Sequence, residues 1–323
     1  MPFLMHGSRR IRYELDGPTD GPADGPAYVI VNGLTQYSEL WRPYHEALAA
    51  RGFRVVTFDL LGQGESDKPS LFIGQDDQVA VLRDLVGELG QGPVFLAGIS
   101  FGGVIALRYA IAHADTIAGL VPMSTFAELS PQLLLFGVAM RTGLIVGGTN
   151  YLQDLLFPMN LSDAYLGERL DKLENAKRKA WLINDVYALQ NLMESFLDFV
   201  PLTEQLSSIR IPTMILNGEY DFLTPRKLHD SLRRHIPDSA LVIVPRVYHA
   251  FTIEKPALAA DLLARFARKV LAGRWRGDGT IWIAPEEAGG ELTPFPADYD
   301  HLRALPLRRE TPRAAAQQEA APA

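Results

Sequence analysis

PVFLAGIS (93–100) runs directly into FGGVIALRYAIAHA (101–114), and the junction between them decides the fold. The first half is a continuous apolar run of strand length, the mark of a strand buried on both faces. The second half is an apolar helical stretch that starts without a linker. At the junction, Gly98-Ile99-Ser100-Phe101-Gly102 fits G-x-S-x-G at the place where that motif has mechanical meaning. A serine on such a turn sits in a strained backbone conformation with its hydroxyl exposed. Gly98 and Gly102 flank it because neighbouring backbone must approach closely. The helix beginning at the turn supplies amide donors and a positive dipole end for developing negative charge.

Outward from this junction the same rhythm repeats. RIRYELD (10–16) alternates like a strand, and AYVIVNG (27–33) and FRVVTFD (53–59) are apolar strand runs with the helical RPYHEALAARG (42–52) between them. A Gly-rich turn, LLGQGESDKP, leads to an amphipathic helix, DDQVAVLRDLVGELG (76–90), and GLVPMST (119–125) follows the serine helix as another strand. Three strand–helix–strand passages predict an α/β fold with a mostly parallel sheet flanked by helices. Residues 126–209 break the rhythm with helical patterns only, and PTMILNGEYD (212–221), a helix at 225–236, SALVIVP (239–245) and a helix at 256–271 resume it. The expected organisation is a core in two halves, 1–125 and 210–272, a helical cap at 126–209, and a C-terminal extension at 273–323. That extension reads as wrapped on the surface, with Trp275, Trp282, Phe295 and Tyr299 as anchors and residues 310–323 disordered.

Composition narrows the chemistry. The chain has 323 residues, a formal net charge of −7 and no cysteine, which removes disulfide frameworks, thiolate metal sites and cysteine nucleophiles together. The acidic balance lacks the basic footprint of a nucleic-acid binder. Met1 to Arg12 carries charge but no apolar core like that of a secretory signal. The longest apolar stretch, Leu133 to Val146, is short of a ~20-residue span and has Arg141 in its middle. A cytoplasmic protein without a transmembrane segment, metal or cofactor is expected.

A serine at its free pKa is a weak nucleophile and needs a base oriented by a third group, in the chain order Ser, acid, His. Of seven histidines, His6 and His45 precede Ser100, His113 ends the helix after it, His229 and His235 lie on a late helix, and His301 is in the tail. His249 alone follows the last strand in a loop, where it reaches over the carboxyl edge of the sheet. Asp221 lies just beyond the preceding strand, before Pro225 opens a helix, with Glu219 as its substitute; Asp59 also ends a strand but precedes the serine. For the oxyanion hole the candidates are the backbone N–H of Phe101 and that of Leu34, in the loop Asn32-Gly33-Leu34-Thr35, where Gly33 lets the chain fold back.

At these residues the chain resembles the α/β-hydrolase superfamily, over roughly residues 10–272: VNGL, FDLLGQGES, GISFGG, GEYDFLTP and YHAFTIEKP fall in order. The resemblance implies Ser100 as nucleophile, Asp221 as acid and His249 as base. Most members have His-Gly where this chain has Asn32-Gly33. In that feature, with DDQVAVLRDLV and ILNGEYDFLT, it is similar to the 3-hydroxyacyl acyltransferases of rhamnolipid and polyhydroxyalkanoate precursor synthesis, which also carry an extension after the last helix.

The cap bears on substrate. Leu133 to Met140 is nearly all apolar, and YLQDLLFPMN (151–160) and LMESFLDFV (192–200) add more, which reads either as cap core throughout or as a second face offered to an acyl chain. Lys177-Arg178-Lys179 reads either as a contact for an anionic carrier or as a solvated helix face supported by Glu168–Lys172 and Glu174–Arg178 pairs. The expected function is hydrolysis of a small-molecule carboxylic ester or thioester with an apolar acyl group, through an acyl-enzyme at Ser100. The alternative is transfer of a 3-hydroxyacyl chain from a carrier thioester to a hydroxyacyl or CoA acceptor. Carbon–carbon bond hydrolysis and a non-catalytic binding role stand behind these. Serine rather than aspartate at the nucleophile position argues against epoxide hydrolases and dehalogenases.

Overall fold

The computed structural model describes residues 2–18, 25–90 and 92–295. Tyr299, His301 and the 310–323 segment lie outside the described residues. Among the described residues ten strands form one sheet in the order β1-β2-β4-β3-β5-β6-β7-β8-β9-β10. The strands are β1 (Phe3–His6), β2 (Arg9–Asp16), β3 (Ala27–Val31), β4 (Arg54–Phe58), β5 (Val94–Ile99), β6 (Gly119–Met123), β7 (Thr213–Gly218), β8 (Ser239–Val244), β9 (Asp278–Ile283) and β10 (Thr293–Pro294). From β4 to β9 all pairings are parallel, while β1, β2 and β10 are antiparallel at the edges.

The apolar runs are explained by burial on both faces. In β3, Ala27, Val29 and Val31 face one core while Tyr28 and Ile30 face the other; in β5, Leu96 opposes Phe95, Ala97 and Ile99 in the same way. Helices α1 (Arg42–Ala49), the short α9 (Phe251–Glu254) and α10 (Pro256–Leu271) cover one face, and α2 (Gln75–Gly87), α3 (Phe101–His113) and α8 (Arg226–His235) cover the other. Each fully buried Leu, Ile or Phe on these faces contributes about 1.5–3 kcal/mol relative to exposure.

Between β6 and β7 the chain forms α4 (Pro131–Asn160), α5 (Asp163–Gly167), α6 (Leu173–Ile183) and α7 (Val186–Glu194). α4 is longer than the apolar stretch read from the sequence, and by length and composition alone it is the one helix among the described residues that could cross a membrane. It bends where Gly148 leaves helical geometry at φ 69° and ψ −169°, and it packs on α6 and α7. The ion pairs expected along 168–178 are replaced by others. Residues 168–172 separate α5 from α6, so Glu168 and Lys172 do not share one helix face. Glu168 pairs with Arg169, Glu174 pairs with Lys177 three residues on, and Lys179 reaches Glu39.

The C-terminal extension enters the sheet rather than lying on its surface. β9 adds to the exposed edge of β8 in parallel, pairing Trp282 with Val242, and β10 follows it antiparallel. Gly277 makes the entry possible, because a side chain there would collide with the backbone of Asp238 and Ser239. Trp275 packs edge-on against Phe266 with ring centroids 4.7 Å apart, and Phe295 lies under Arg226.

Candidate active site

The carboxyl ends of β3, β5, β7 and β8 deliver the candidate residues to one edge of the sheet, where open α/β sheets bind ligands. Ser100 joins β5 to α3 with φ 54° and ψ −118°, a conformation that costs a non-glycine residue about 1–3 kcal/mol. The structure holds it there from both sides. Ser100 N–H donates to Met123 O at 2.9 Å, and Thr125 Oγ1 donates to Ser100 O at 2.7 Å. The flanking glycines are required by close approach: a side chain at Gly98 would strike the Gly102 carbonyl, and one at Gly102 would strike the carbonyls of Val31 and Asn32.

His249 Nδ1–H donates to Asp221 Oδ2 at 2.9 Å, with Thr224 Oγ1 at 3.2 Å from the same nitrogen. Asp221 accepts further bonds from Thr224 N–H at 2.8 Å, Thr224 Oγ1 at 2.7 Å and Asn217 Nδ2 at 3.3 Å. Burial works to raise this carboxyl, but His249 and the donors around it outweigh burial and hold it below the ordinary range. Glu219 points elsewhere, accepting Arg246 N–H at 2.8 Å. Asp59 is likewise committed: its carboxylate takes the N–H and hydroxyl of Ser38 at 2.7 Å and Glu65 N–H at 2.8 Å, fixing the Gly-rich turn. Burial nonetheless raises its pKa.

Ser100, Phe101, Leu34 and His249 all line one cavity of about 510 Å³ under the cap. No hydrogen bond joins Ser100 Oγ to His249 among the described residues, a contact that in enzymes without substrate is often long and tightens in the complex. Asn32 turns its side chain inward, donating to Phe58 O at 2.7 Å and accepting from Trp41 Nε1. Gly33 N–H is taken by Gln36 Oε1 at 2.8 Å, and Thr35 N–H by Gln63, so the loop that presents Leu34 is pinned on both sides of it. The apolar wall comes from α4 and α7, including Leu133, Met140, Leu156 and Met193.

Two residues not singled out as site residues in the sequence reading complete the support. His229, dismissed there as lying on a late helix, is fully buried and accepts Thr125 N–H on Nε2 at 2.9 Å. Its Nδ1 faces Pro225 O at 3.4 Å, which identifies a neutral ring, and burial pushes its pKa down to about 4. Thr125 thus links His229 to the serine turn. Nothing local in LHD (228–230) or MST (123–125) marks this pairing, since it depends on how α8, packed on β7, meets the segment that follows β6.

Comparison with known proteins agrees with this architecture. A family profile described as alpha/beta hydrolase fold matches residues 26–256. The chain is 28% identical over 280 residues to a protein named as a carbamate hydrolase from Azorhizobium caulinodans, covering 84% of this chain and 99% of that one. It is 26% identical over 260 residues to a pimeloyl-[acyl-carrier protein] methyl ester esterase of Photorhabdus laumondii, covering 76% and 94%. Among solved structures, an enol-lactonase from Burkholderia xenovorans superposes with a TM-score of 0.73 at 22% identity, covering 84% of this chain and 100% of that one. With the profile spanning more than two thirds of its length, the chain belongs to the alpha/beta hydrolase fold family.

Proposed function

We propose that the protein hydrolyses a carboxylic ester or thioester with an apolar acyl group through an acyl-enzyme on Ser100. The observation that carries this is the hydrogen-bonded Asp221–His249 pair set on the same cavity as a serine held at φ 54° on a helix N-terminus. In the first step His249 Nε2 takes the proton of Ser100 Oγ as the oxygen attacks the substrate carbonyl. The Leu34 and Phe101 N–H groups would receive the resulting oxyanion; each such donor is worth about 2.7–4 kcal/mol in comparable sites. Collapse of the intermediate breaks the bond to the alcohol or thiol, and His249 returns its proton to that leaving group. Water, deprotonated by His249, then attacks the acyl carbon and releases the acid and free Ser100. Asp221 holds the imidazole tautomer and stabilises the imidazolium.

The apolar wall from α4 and α7 supports an apolar acyl group, and the names of the esterase and lactonase relatives agree with an ester as substrate. Acyl transfer shares the first half of the reaction, so the test must watch the second. Single turnover with a hexanoyl thioester, with and without a hydroxyacyl acceptor, should yield free acid in both cases. Product carrying the acyl group on the acceptor would replace hydrolysis by transfer. No acyl loss from the thioester or from the matching hexanoyl ester would remove both.

A further inference from the structure

The cavity has a charge asymmetry that ester cleavage alone does not need. In a chain of net charge −7, the described residues lining it include Arg141, Arg169 and Lys172 but no aspartate or glutamate. Arg141 is balanced by Glu194, whose Oε1 lies 3.0 Å from Arg141 Nε and which does not itself line the cavity. Arg169 and Lys172 form a separate pair where α5 leads into α6. The Arg169 guanidinium lies over the Tyr165 ring, 4.0 Å from its centre, and among the described residues it pairs with Glu168, also outside the lining, at 2.7 Å.

The position of this pair follows from how α5 is anchored. Glu254 accepts Tyr248 N–H at 3.1 Å, directly before His249, and also accepts the hydroxyl of Ser162. Ser162 in turn caps α5 by accepting Tyr165 N–H at 3.2 Å. The backbone bond from Ala250 N–H to Asn160 O, at 2.9 Å, ties the end of α4 to the same loop. Tyr165 and the arginine stacked on it therefore ride on the histidine loop. In the proposed reaction that is the side from which the leaving group departs, because His249 protonates it.

We propose that Arg169 and Lys172 bind an anionic group, phosphate or carboxylate, carried by the alcohol or thiol half of the substrate. This rests on the hydrolytic reading of the site and adds a substrate class to it: esters or thioesters whose acyl half is apolar and whose leaving group is an anion. An arginine seated over a tyrosine ring is pre-organised to meet two oxygens of such a group, and the lysine adds a point charge on a flexible stem.

The test compares hydrolysis of para-hexanoyloxybenzoate, para-hexanoyloxyphenyl phosphate and the neutral para-hexanoyloxybenzamide by wild type and by the Arg169→Gln/Lys172→Gln double variant. Comparing each ratio of anionic to neutral kcat/KM between the two proteins cancels the intrinsic reactivity of the leaving groups. The ratio should fall about tenfold in the double variant, mainly through KM, and should also fall in wild type as salt is raised. A larger fall for the phosphate than for the benzoate identifies phosphate as the preferred anion, and the reverse identifies carboxylate. An unchanged ratio with active wild type overturns the inference. So does an equal loss on the mono-phenyl ester of adipic acid, whose charge lies on the acyl half. Calorimetric binding of phenyl phosphate separates the two levels of the argument. Binding that the double variant loses, without turnover of any ester, keeps the anion site and removes the hydrolytic reading; binding of neither phenyl phosphate nor benzoate to wild type in that case removes the anion site as well.

Discussion

Asp221 Oδ2 and His249 Nδ1 lie 2.9 Å apart, and the aspartate is enclosed so completely that its carboxylate is answered by protein donors. The pair has one consistent proton arrangement: Nδ1–H donates to the carboxylate, leaving Nε2 as the free base. Asp221→Asn would offer His249 an amide in place of the carboxylate and favour the wrong tautomer. A fall in kcat of about 10⁴-fold is expected with little change in KM, by analogy with buried aspartates in this role. Steady-state kinetics on a hexanoyl ester check it.

The strain at Ser100 separates stability from activity. Ser100→Ala should leave the protein folded and without turnover. Ser100→Gly should be inactive too, yet more stable than Ser100→Ala by about 1 kcal/mol, because glycine accepts φ 54° without penalty. Thermal unfolding of the two variants makes the comparison. Equal stability would mean that the turn stores no strain.

His229 gives a pH signature that does not depend on catalysis. Its folded pKa is lowered from 6.5 to about 4, so between those values the unfolded chain binds a proton that the folded one refuses. Stability contributed by the neutral ring is complete above 6.5 and is lost as pH falls toward 4, by about 3 kcal/mol in all. Asp221, lowered from 3.8, adds its own loss only below that value. Urea unfolding of wild type should therefore weaken steeply between pH 7 and pH 4.5. His229→Gln, which keeps an acceptor for Thr125, should start less stable and show a shallower slope.

Gly137 tests the acyl wall. It lines the cavity from within α4, and a Cβ built there meets nothing within 4 Å. Gly137→Ala should stabilise the helix by about 0.5–1 kcal/mol. Gly137→Phe should fill part of the cavity and move the preference of kcat/KM toward shorter acyl chains, measured on acetyl, hexanoyl and decanoyl esters. An unchanged chain-length profile would place the acyl group elsewhere.

Much of the fold was legible because strands buried on both faces leave an unmistakable apolar run, as in AYVIV and VFLAGI. The places where functional groups gather were legible for a related reason: Ser100 follows such a run directly, and Asp221 and His249 lie in the loops that leave β7 and β8. DGTIWI (278–283) was not legible as a strand of the sheet. Its pattern is half-exposed, and only the open edge of β8, distant in sequence, turns it into β9. The role of His229 was hidden for the same kind of reason, since its partner Thr125 lies 104 residues away. The cationic pair in the cavity was obscured by a local rule: i,i+4 spacing suggested that Glu168 neutralises Lys172, whereas the chain between α5 and α6 breaks that helix.

The central claim is a covalent acyl group on Ser100, and trapping it is the most direct measurement. Wild type mixed with a hexanoyl ester, quenched in acid within the first turnover and digested for peptide mass analysis, should carry one hexanoyl group on the peptide containing Ser100. The adduct should be absent in Ser100→Ala and should accumulate in His249→Ala only if acylation outlasts loss of the base. An adduct on another residue, or undiminished ester turnover by Ser100→Ala, would contradict the account.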